Sequence, residues 1–538
     1  MLNQNSMKYD SVKDGAVRLR TGNHETAVLI VGAGPAGLVL ACELARRNVD
    51  CLVAEKDAQL FAGSRGKGLQ PRTQEVLEDL GVLDQVRAHG GLYPPIRARD
   101  GGQVVFEGRM DPLSEATPDV PHPNLWMLPQ WRTGQILSAR LAELGGSVTY
   151  GTELMSFTQD AEGVTAVLRH GGTENIVRAG YLVGADGGHS MVRRSLGIGF
   201  AGQTDEEERM IIADVRLDGV GRDYWQVWTG AGAFQLALCP LAGTDTFQLT
   251  APLVPANPVP DLTTAGIQRV VDGAAGPGQI GITDLTWTSL YRTNIRMAKR
   301  FAEGRVFLVG DAAHVHPPAG GQGLNTGIQD SYNLGWKLAG VLGGAPAGLL
   351  CSYSEERVPV AAEVLGISTA LHSKAAEQQS GAHRRDDPKL RQLNLGYRDS
   401  ALSIEGRATP GGLLAGDRAP DAPGHDPDRS EVRLFDLIHS GCITLLAFGP
   451  AATRLAIGAA NAVPRPRLQA VAIRRPAGRG ESPGFVDTGG HAHRAYGICD
   501  GQDILFAIRP DGYVGLALDA SHSAGDEVAG YLARICAR

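Results

Sequence analysis

The sequence predicts an α/β protein: a doubly wound nucleotide-binding domain with an antiparallel β-sheet inserted into it and a smaller domain after it. Three observations predict this. A strand, glycine turn, helix and second strand open the chain after residue 26, and the texture between residues 208 and 291 changes to short strand-like runs. A Pro- and Gly-rich stretch over 384–428 then sets off about a hundred further residues.

The bulk properties agree with a multidomain globular protein. At 538 residues the chain exceeds what one hydrophobic core usually serves, and 43% hydrophobic with 20% charged residues gives it the means to bury a large one. The net charge of -7 comes without a long block of either sign, which speaks against nucleic acid or an anionic membrane as partner and favours a small molecule. Seven Cys stand singly, with no CxxC and no metal-ligand spacing, so reduced thiols in the cytoplasm and no metal are expected. No apolar run reaches the roughly 18–20 residues that span a bilayer, and residues 1–26 read as a flexible polar tail.

The first strand, 27–31, runs into Gly32-Ala33-Gly34-Pro35-Ala36-Gly37 and a helix over 35–48, followed by an apolar run at 51–55. This GxGxxG at a strand-to-helix turn is a Rossmann-like fingerprint. Gly32 permits the tight turn, Gly34 lets the backbone approach a pyrophosphate, and Gly37 lets the helix pack against the strand. Ala36 lies in the first helical turn, whose dipole favours phosphate. Glu55, eighteen positions after Gly37 and next to Lys56, ends the second strand where a carboxylate can accept from ribose hydroxyls. This fingerprint fits FAD and NAD equally.

Apolar residues at helical spacing over 71–83 and 133–144 predict core helices. Strand-like runs at 210–217, 224–228, 234–238 and 246–249 predict the inserted sheet. Its Tyr224, Trp225, Trp228, Phe234, Phe247 and Trp287 either line a pocket or fill a core. A strand at 306–309 then leads to Gly310-Asp311, which places a carboxylate for a sugar-like hydroxyl. The loop from Pro317 through Pro318, Gly321 and Gly323 to Leu324 and Asn325 opens a long helical stretch over 325–374. Its free N–H groups and positive dipole end suit an electron-rich group such as the N1–C2=O edge of a reduced flavin.

The string Gly310 to Asn325, continued by Gly327, Asp330, Asn333 and Trp336-Lys337-Leu338, resembles the flavin-binding segment of the single-component flavin aromatic hydroxylases, the para-hydroxybenzoate hydroxylase class. Gly184 to Arg193 is similar to the family's "DG" motif, although Asp186 reads equally well as a helix cap. The resemblance implies FAD as cofactor, with Asp311 on the ribityl chain, the loop at Gly321, Gly323, Leu324 and Asn325 against the pyrimidine, and the Pro318 carbonyl lining the reaction site. It further implies Asp186, Arg65 and Gln130 as cofactor contacts, Arg65 also facing substrate or nicotinamide. The family carries an acidic residue after the threonine that matches Thr133. Here Gly134 follows, so Gln130 alone is carried over from that element.

In function, the resemblance implies a monooxygenase that consumes NADPH or NADH and O2 and hydroxylates a small aromatic or polyketide-type substrate through a C4a-hydroperoxyflavin. Such a site excludes water and favours a phenolate. Tyr224, Tyr291 and His314 are candidates for a base by residue type alone. Trp228, on the strand the family uses as a pocket wall, and Phe234 are the substrate-side candidates. Oxygen insertion or ring opening of a natural product or antibiotic, and a flavin-bearing binding protein without turnover, are the alternatives.

Residues 416–421 and 509–514 resemble the thioredoxin-like domain of the pentachlorophenol, phenol and polyketide hydroxylase branch, here without the CxxC that dithiol chemistry needs. The expected division is therefore an FAD-binding domain over 27–207 and 292–383, a substrate sheet over 208–291, a linker over 384–428 and a thioredoxin-like domain over 429–538. A homodimer is a further expectation.

Overall fold

The computed structural model describes residues 24–230, 233–253, 261–317, 319–376, 387–426, 428, 430–439, 441–463, 468–476, 484–521 and 523–536. Its first sheet is parallel at the centre. His24–Val31 lies between Thr173–Gly184 and Cys51–Ala54, with Val306–Leu308 beyond one and Val148–Thr149 beyond the other. Val28, Leu29 and Ile30 are all fully buried, without alternation, because helices cover both faces of such a sheet. The helix Pro35–Ala45 is one cover and packs against Gly323–Leu342. The carboxyl ends of four parallel strands, at Val31, Ala54, Gly184 and Leu308, share one edge, where open α/β sheets bind ligands.

The second sheet follows the order His314–Val315, Gly281–Ala298, Phe200–Asp218, Phe247–Pro252, Ala233–Pro240, Trp225–Gly230, Ile96–Asp100, Gln103–Gly108. It therefore takes in more than residues 208–291: its long strands begin at Phe200 and end at Ala298, and a hairpin from 96–108 extends its edge. Period-two alternation divides its faces. Ile211, Ala213, Val215, Leu249 and Ala251 pack on Ile267 and Val271 of the helix Thr264–Ala275, and the intervening residues turn towards the first sheet.

The third sheet runs Ile404–Gly406, Val514–Asp519, Ile504–Ile508, Ile443–Phe448, Leu468–Arg474, Phe485–Val486, Pro423–His425, Glu431–Arg433. Residues 384–428, read from sequence as a linker, thus supply two of its strands. The helical stretch over 325–374 is two helices, Gly323–Leu342 and Cys351–Ala376. The break holds Gly343, Gly344 and Pro346, and Gly344 takes a φ of 98°, which a β-carbon disfavours. Likewise Gly81, at a φ of 74°, separates Pro71–Asp79 from Leu83–His89. Among the described residues no helix is long and apolar enough to cross a membrane.

Candidate active site

The loops at the carboxyl edge of the first sheet and the inner face of the second enclose a cavity of about 1550 Å³. Gly32, at a φ of 109°, turns the chain so tightly that a β-carbon there would overlap the carbonyl oxygen of Ala185. Gly34 differs. A β-carbon at Gly34 would meet no protein atom within 4 Å, because the residue fronts the open cavity at the N-terminus of the helix Pro35–Ala45. A backbone bared in this way, with first-turn amides behind it, fits a pyrophosphate. Gly37 packs inside, against the Gly32 carbonyl, and does not line the cavity.

Glu55 lines the cavity beside Lys56, its carboxylate accepting from the N–H groups of Ala33 at 2.8 Å and Asp57 at 3.0 Å. Lone pairs remain for hydroxyl donors. Asp186 is both things the sequence allowed. Its Oδ2 caps the helix Met191–Ser195, accepting from Met191 at 2.7 Å and Val192 at 3.1 Å, and its buried Oδ1 has no hydrogen-bond partner. An orphaned oxygen beside the cavity wall is a place for a ligand donor.

Asp311 opens into the cavity from a short turn, Gly310–Ala312, at the end of the strand Val306–Leu308. Its side chain is exposed to the cavity, yet the protein packed around that cavity desolvates it and raises its carboxyl above the usual range, against the opposing pull of His314 and Arg65. Behind it lies a brace of buried groups. Asp330 accepts from His314 Nε2 at 2.6 Å, Arg357 at 2.7 Å and the Gly310 N–H at 3.1 Å, and His316 pairs with His314 at 3.0 Å. Although Asp330 is buried, the charges of His314 and Arg357 hold its carboxyl down at about 2.

The glycine loop places Gly321, Gly323 and Leu324 on the cavity wall. Asn325 does not line the cavity, and its side chain is consumed structurally. Its Oδ1 accepts from the Gln70 N–H at 2.8 Å, and its Nδ2 donates to the carbonyls of Gly68 at 2.9 Å and Gly321 at 2.7 Å. Pro318 lies outside the described residues. Gln130 accepts from the Gly66 N–H at 2.9 Å and donates its own N–H to the Gly66 carbonyl at 2.9 Å, so it fixes the loop that carries Arg65. The Arg65 guanidinium stands over the rings of Phe61 at 5.2 Å and Trp287 at 5.9 Å, on the cavity wall.

On the substrate side Phe234 lines the cavity and Trp228 does not. Alternation along Trp225–Gly230 is the reason: Trp225, Val227 and Thr229 face the cavity, whereas Trp228 is buried on the other face among Ile211, Leu236 and Leu249. Of the three candidate bases, Tyr291 alone reaches the cavity. Tyr224 donates to Glu107 at 2.7 Å away from it, and His314 is held by Asp330. Sequence reasoning missed Lys67, Tyr93 and Gln248, all on the cavity wall, and preferred Trp228 to Trp225, which is also there. Lys67 stands two residues after Arg65 in the same loop, and the period of two placed Trp225 opposite to Trp228.

Pockets of roughly 300–1,000 Å³ hold one drug-sized ligand, so a cavity of about 1550 Å³ has room for a dinucleotide and a substrate together. The FAD binding domain family matches residues 25–368. A flavin-dependent monooxygenase of Mycobacteroides abscessus is 43% identical over 514 residues, 94% of this chain and 99% of its own. A rifampicin monooxygenase of Rhodococcus hoagii is 36% identical over 440 residues, 78% of this chain and 87% of its own. A solved ternary complex of aklavinone-11 hydroxylase with FAD and aklavinone shares the fold with a TM-score of 0.80 at 29% identity, over 96% of this chain and 100% of that one. The matched residues include the open turn at Gly34, the carboxylate at Asp311 and the inserted sheet, and on that footing the chain belongs to the FAD-dependent monooxygenases, with FAD as its cofactor.

Proposed function

We propose that the protein hydroxylates a polycyclic phenol or related aromatic polyketide, using NADPH or NADH and O2. The observation that carries this reading is the continuity of one cavity from the dinucleotide turn at Gly34 to the inner face of the inserted sheet, with Tyr93, Trp225 and Phe234 on its wall. Flat aromatic walls suit a fused-ring ligand, and the proteins the chain resembles include one named for rifampicin and a solved hydroxylase holding FAD and aklavinone.

Bound FAD supplies hydride acceptance and oxygen activation. The chain's residues do the rest. Gly34 and the first turn of Pro35–Ala45 receive the pyrophosphate, Glu55 the adenosine ribose and Asp311 the ribityl hydroxyls. Asp186 offers its unpartnered Oδ1 to a hydroxyl, and the backbone at Gly321, Gly323 and Leu324 faces the flavin pyrimidine. Arg65, held over Phe61 and Trp287, flanks the reacting edge. Oxygen transfer stays ahead of peroxide release only where water is kept from the reacting edge, which a bound aromatic substrate between Tyr93, Trp225 and Phe234 would do. The domain at the C-terminal end is thioredoxin-like in this reading. Ile443–Phe448 pairs parallel with Leu468–Arg474 and antiparallel with Ile504–Ile508, which in turn pairs antiparallel with Val514–Asp519, and it acts as a structural support.

The test is direct. Purified protein with bound FAD is assayed for nicotinamide oxidation with a panel of monocyclic and polycyclic phenols, and products are weighed by mass spectrometry. Faster oxidation with fused-ring phenols and products heavier by one oxygen atom support the reading. Stimulation without an oxygenated product, or by monocyclic phenols alone, refutes it.

A further inference from the structure

Lys67 is among the cationic side chains on the cavity wall that the cofactor assignments leave without a role. Lys67 follows Gly66, where the loop packs so closely on the glycine loop that a β-carbon would stand 3.3 Å from Leu324 Cδ2. The loop then carries Lys67 across to the inserted sheet, where its ammonium donates to Gln248 Oε1 and lies 4.5 Å from the centroid of the Trp225 ring. Gln248 in turn donates to the Ser64 carbonyl, so the group that holds Lys67 is itself held. Lys67 thus stands at the boundary between the flavin-side loop and the aromatic wall, where a substrate must lie to meet both.

Its bonding is incomplete. Among the described residues the ammonium makes a single hydrogen bond, to Gln248, which leaves two of its three N–H donors for the cavity. The Trp225 face stabilises the charge without using those donors. Arg65, two residues earlier, is stacked on Phe61 and Trp287.

The groups around Lys67 set its field. Asp214 is 2% exposed on Phe200–Asp218 and faces Ser64 and Lys67. Burial raises its carboxyl to about 6, against the lowering effect of Ser64 and of the Lys67 charge. Cys239, on Ala233–Pro240, is buried and Tyr93 is half-buried, and desolvation pushes both up, so both are neutral at neutral pH. The local balance is one cation facing the cavity and one titrating carboxyl behind it.

We propose that Lys67 binds the ionised hydroxyl of the substrate, so that the phenol enters as its phenolate and its ring carbons are electron-rich beside the flavin. Asp214, on the inward face of the sheet, tunes this binding as a positioning residue through its charge. The assignment rests on the polycyclic-phenol reading above.

The experiment uses the FAD-loaded enzyme and 2-hydroxyanthraquinone, a fused-ring phenol whose visible spectrum changes on ionisation. Difference spectra across pH give the midpoint at which bound dye ionises. In wild-type protein this midpoint lies below that of the free dye. Lys67→Met raises it by about one pH unit, a tenfold loss of preference for the anion, with FAD content unchanged, and Lys67→Arg restores most of the shift. Asp214→Asn lowers the midpoint, because the opposing charge is gone. The proposal is overturned if Lys67→Met leaves the midpoint in place. Should Lys67→Met lose its FAD, a midpoint in Asp214→Asn equal to wild type overturns it instead. Dye that binds equally well at a wild-type midpoint matching free dye refutes the role of Lys67 alone, whereas dye that does not bind refutes the polycyclic-phenol reading and the inference with it.

Discussion

Arg509 donates two hydrogen bonds, at 2.7 and 2.8 Å, to the carboxylate of Glu356, joining the third sheet to the helix Cys351–Ala376 with both side chains fully buried. Asp511 pairs with the same guanidinium at 2.6 Å, and Lys337 reaches Glu356 at 2.6 Å. Charges buried together this way offset one another's desolvation, and removing one strands the rest. Arg509→Met is therefore expected to cost about 3–5 kcal/mol in urea unfolding and to let the C-terminal domain separate from the FAD domain, read as new proteolytic cleavage between them. An intact, wild-type-like digestion pattern would show that the cluster does not couple the domains.

Asp330 gives a pH dependence with a defined sign. Its carboxyl ordinarily titrates near 4 and in the fold at about 2, held there by His314 and Arg357. A depressed folded-state value means that the stabilisation is fully present above about pH 4 and is lost as pH falls through about 2. Its size is on the order of 2–3 kcal/mol. Unfolding free energies of wild type and Asp330→Asn should thus differ most at neutral pH and converge as pH falls from 4 towards 2. A gap that stays constant over that range would contradict the assignment of the charge.

Two substitutions separate folding from cofactor retention. Gly34→Ala adds a β-carbon that meets no protein atom, so the unfolding midpoint of the FAD-free protein should match wild type while flavin retained on gel filtration falls. Asp311→Ala removes a carboxylate placed for hydroxyl donors, and a hydrogen bond to a charged group is worth about 1.5–3 kcal/mol. FAD affinity should drop roughly tenfold to a hundredfold by fluorescence titration. Full flavin content in both variants would move the cofactor away from this end of the cavity.

What could be read from sequence was what neighbouring residues decide. Gly32, Gly34 and Glu55 form one turn and one strand end, and Asp311 and Leu324 belong to one continuous string, so their places in the cavity follow from local geometry. Asn325 belongs to the same string, yet its partner Gln70 lies 255 residues away, and only the folded chain shows that its amide is a brace. Lys67 depends on Gln248, 181 residues on. The break between Gly323–Leu342 and Cys351–Ala376 had its signal in Gly343, Gly344 and Pro346, which the apolar periodicity on either side outweighed.

The two tryptophans of Trp225–Gly230 test the remaining ambiguity, because alternation assigns them to opposite faces and only the register of the whole sheet says which face is inward. Trp228 is 9% exposed in the core beneath the sheet. Trp228→Ala should lose about 3–5 kcal/mol of stability and, where the protein still folds, leave KM for an accepted substrate within about twofold, a shift of ~0.4 kcal/mol. Trp225 lines the cavity, its ring 6.2 Å from that of Tyr93 and beneath the Lys67 ammonium. Trp225→Ala should cost less stability and raise KM about tenfold, since an aromatic wall contributes on the order of 1–2 kcal/mol to a stacked ligand. Steady-state kinetics and thermal unfolding on the same two variants decide it, and the opposite pattern would place the substrate against the other face of the inserted sheet.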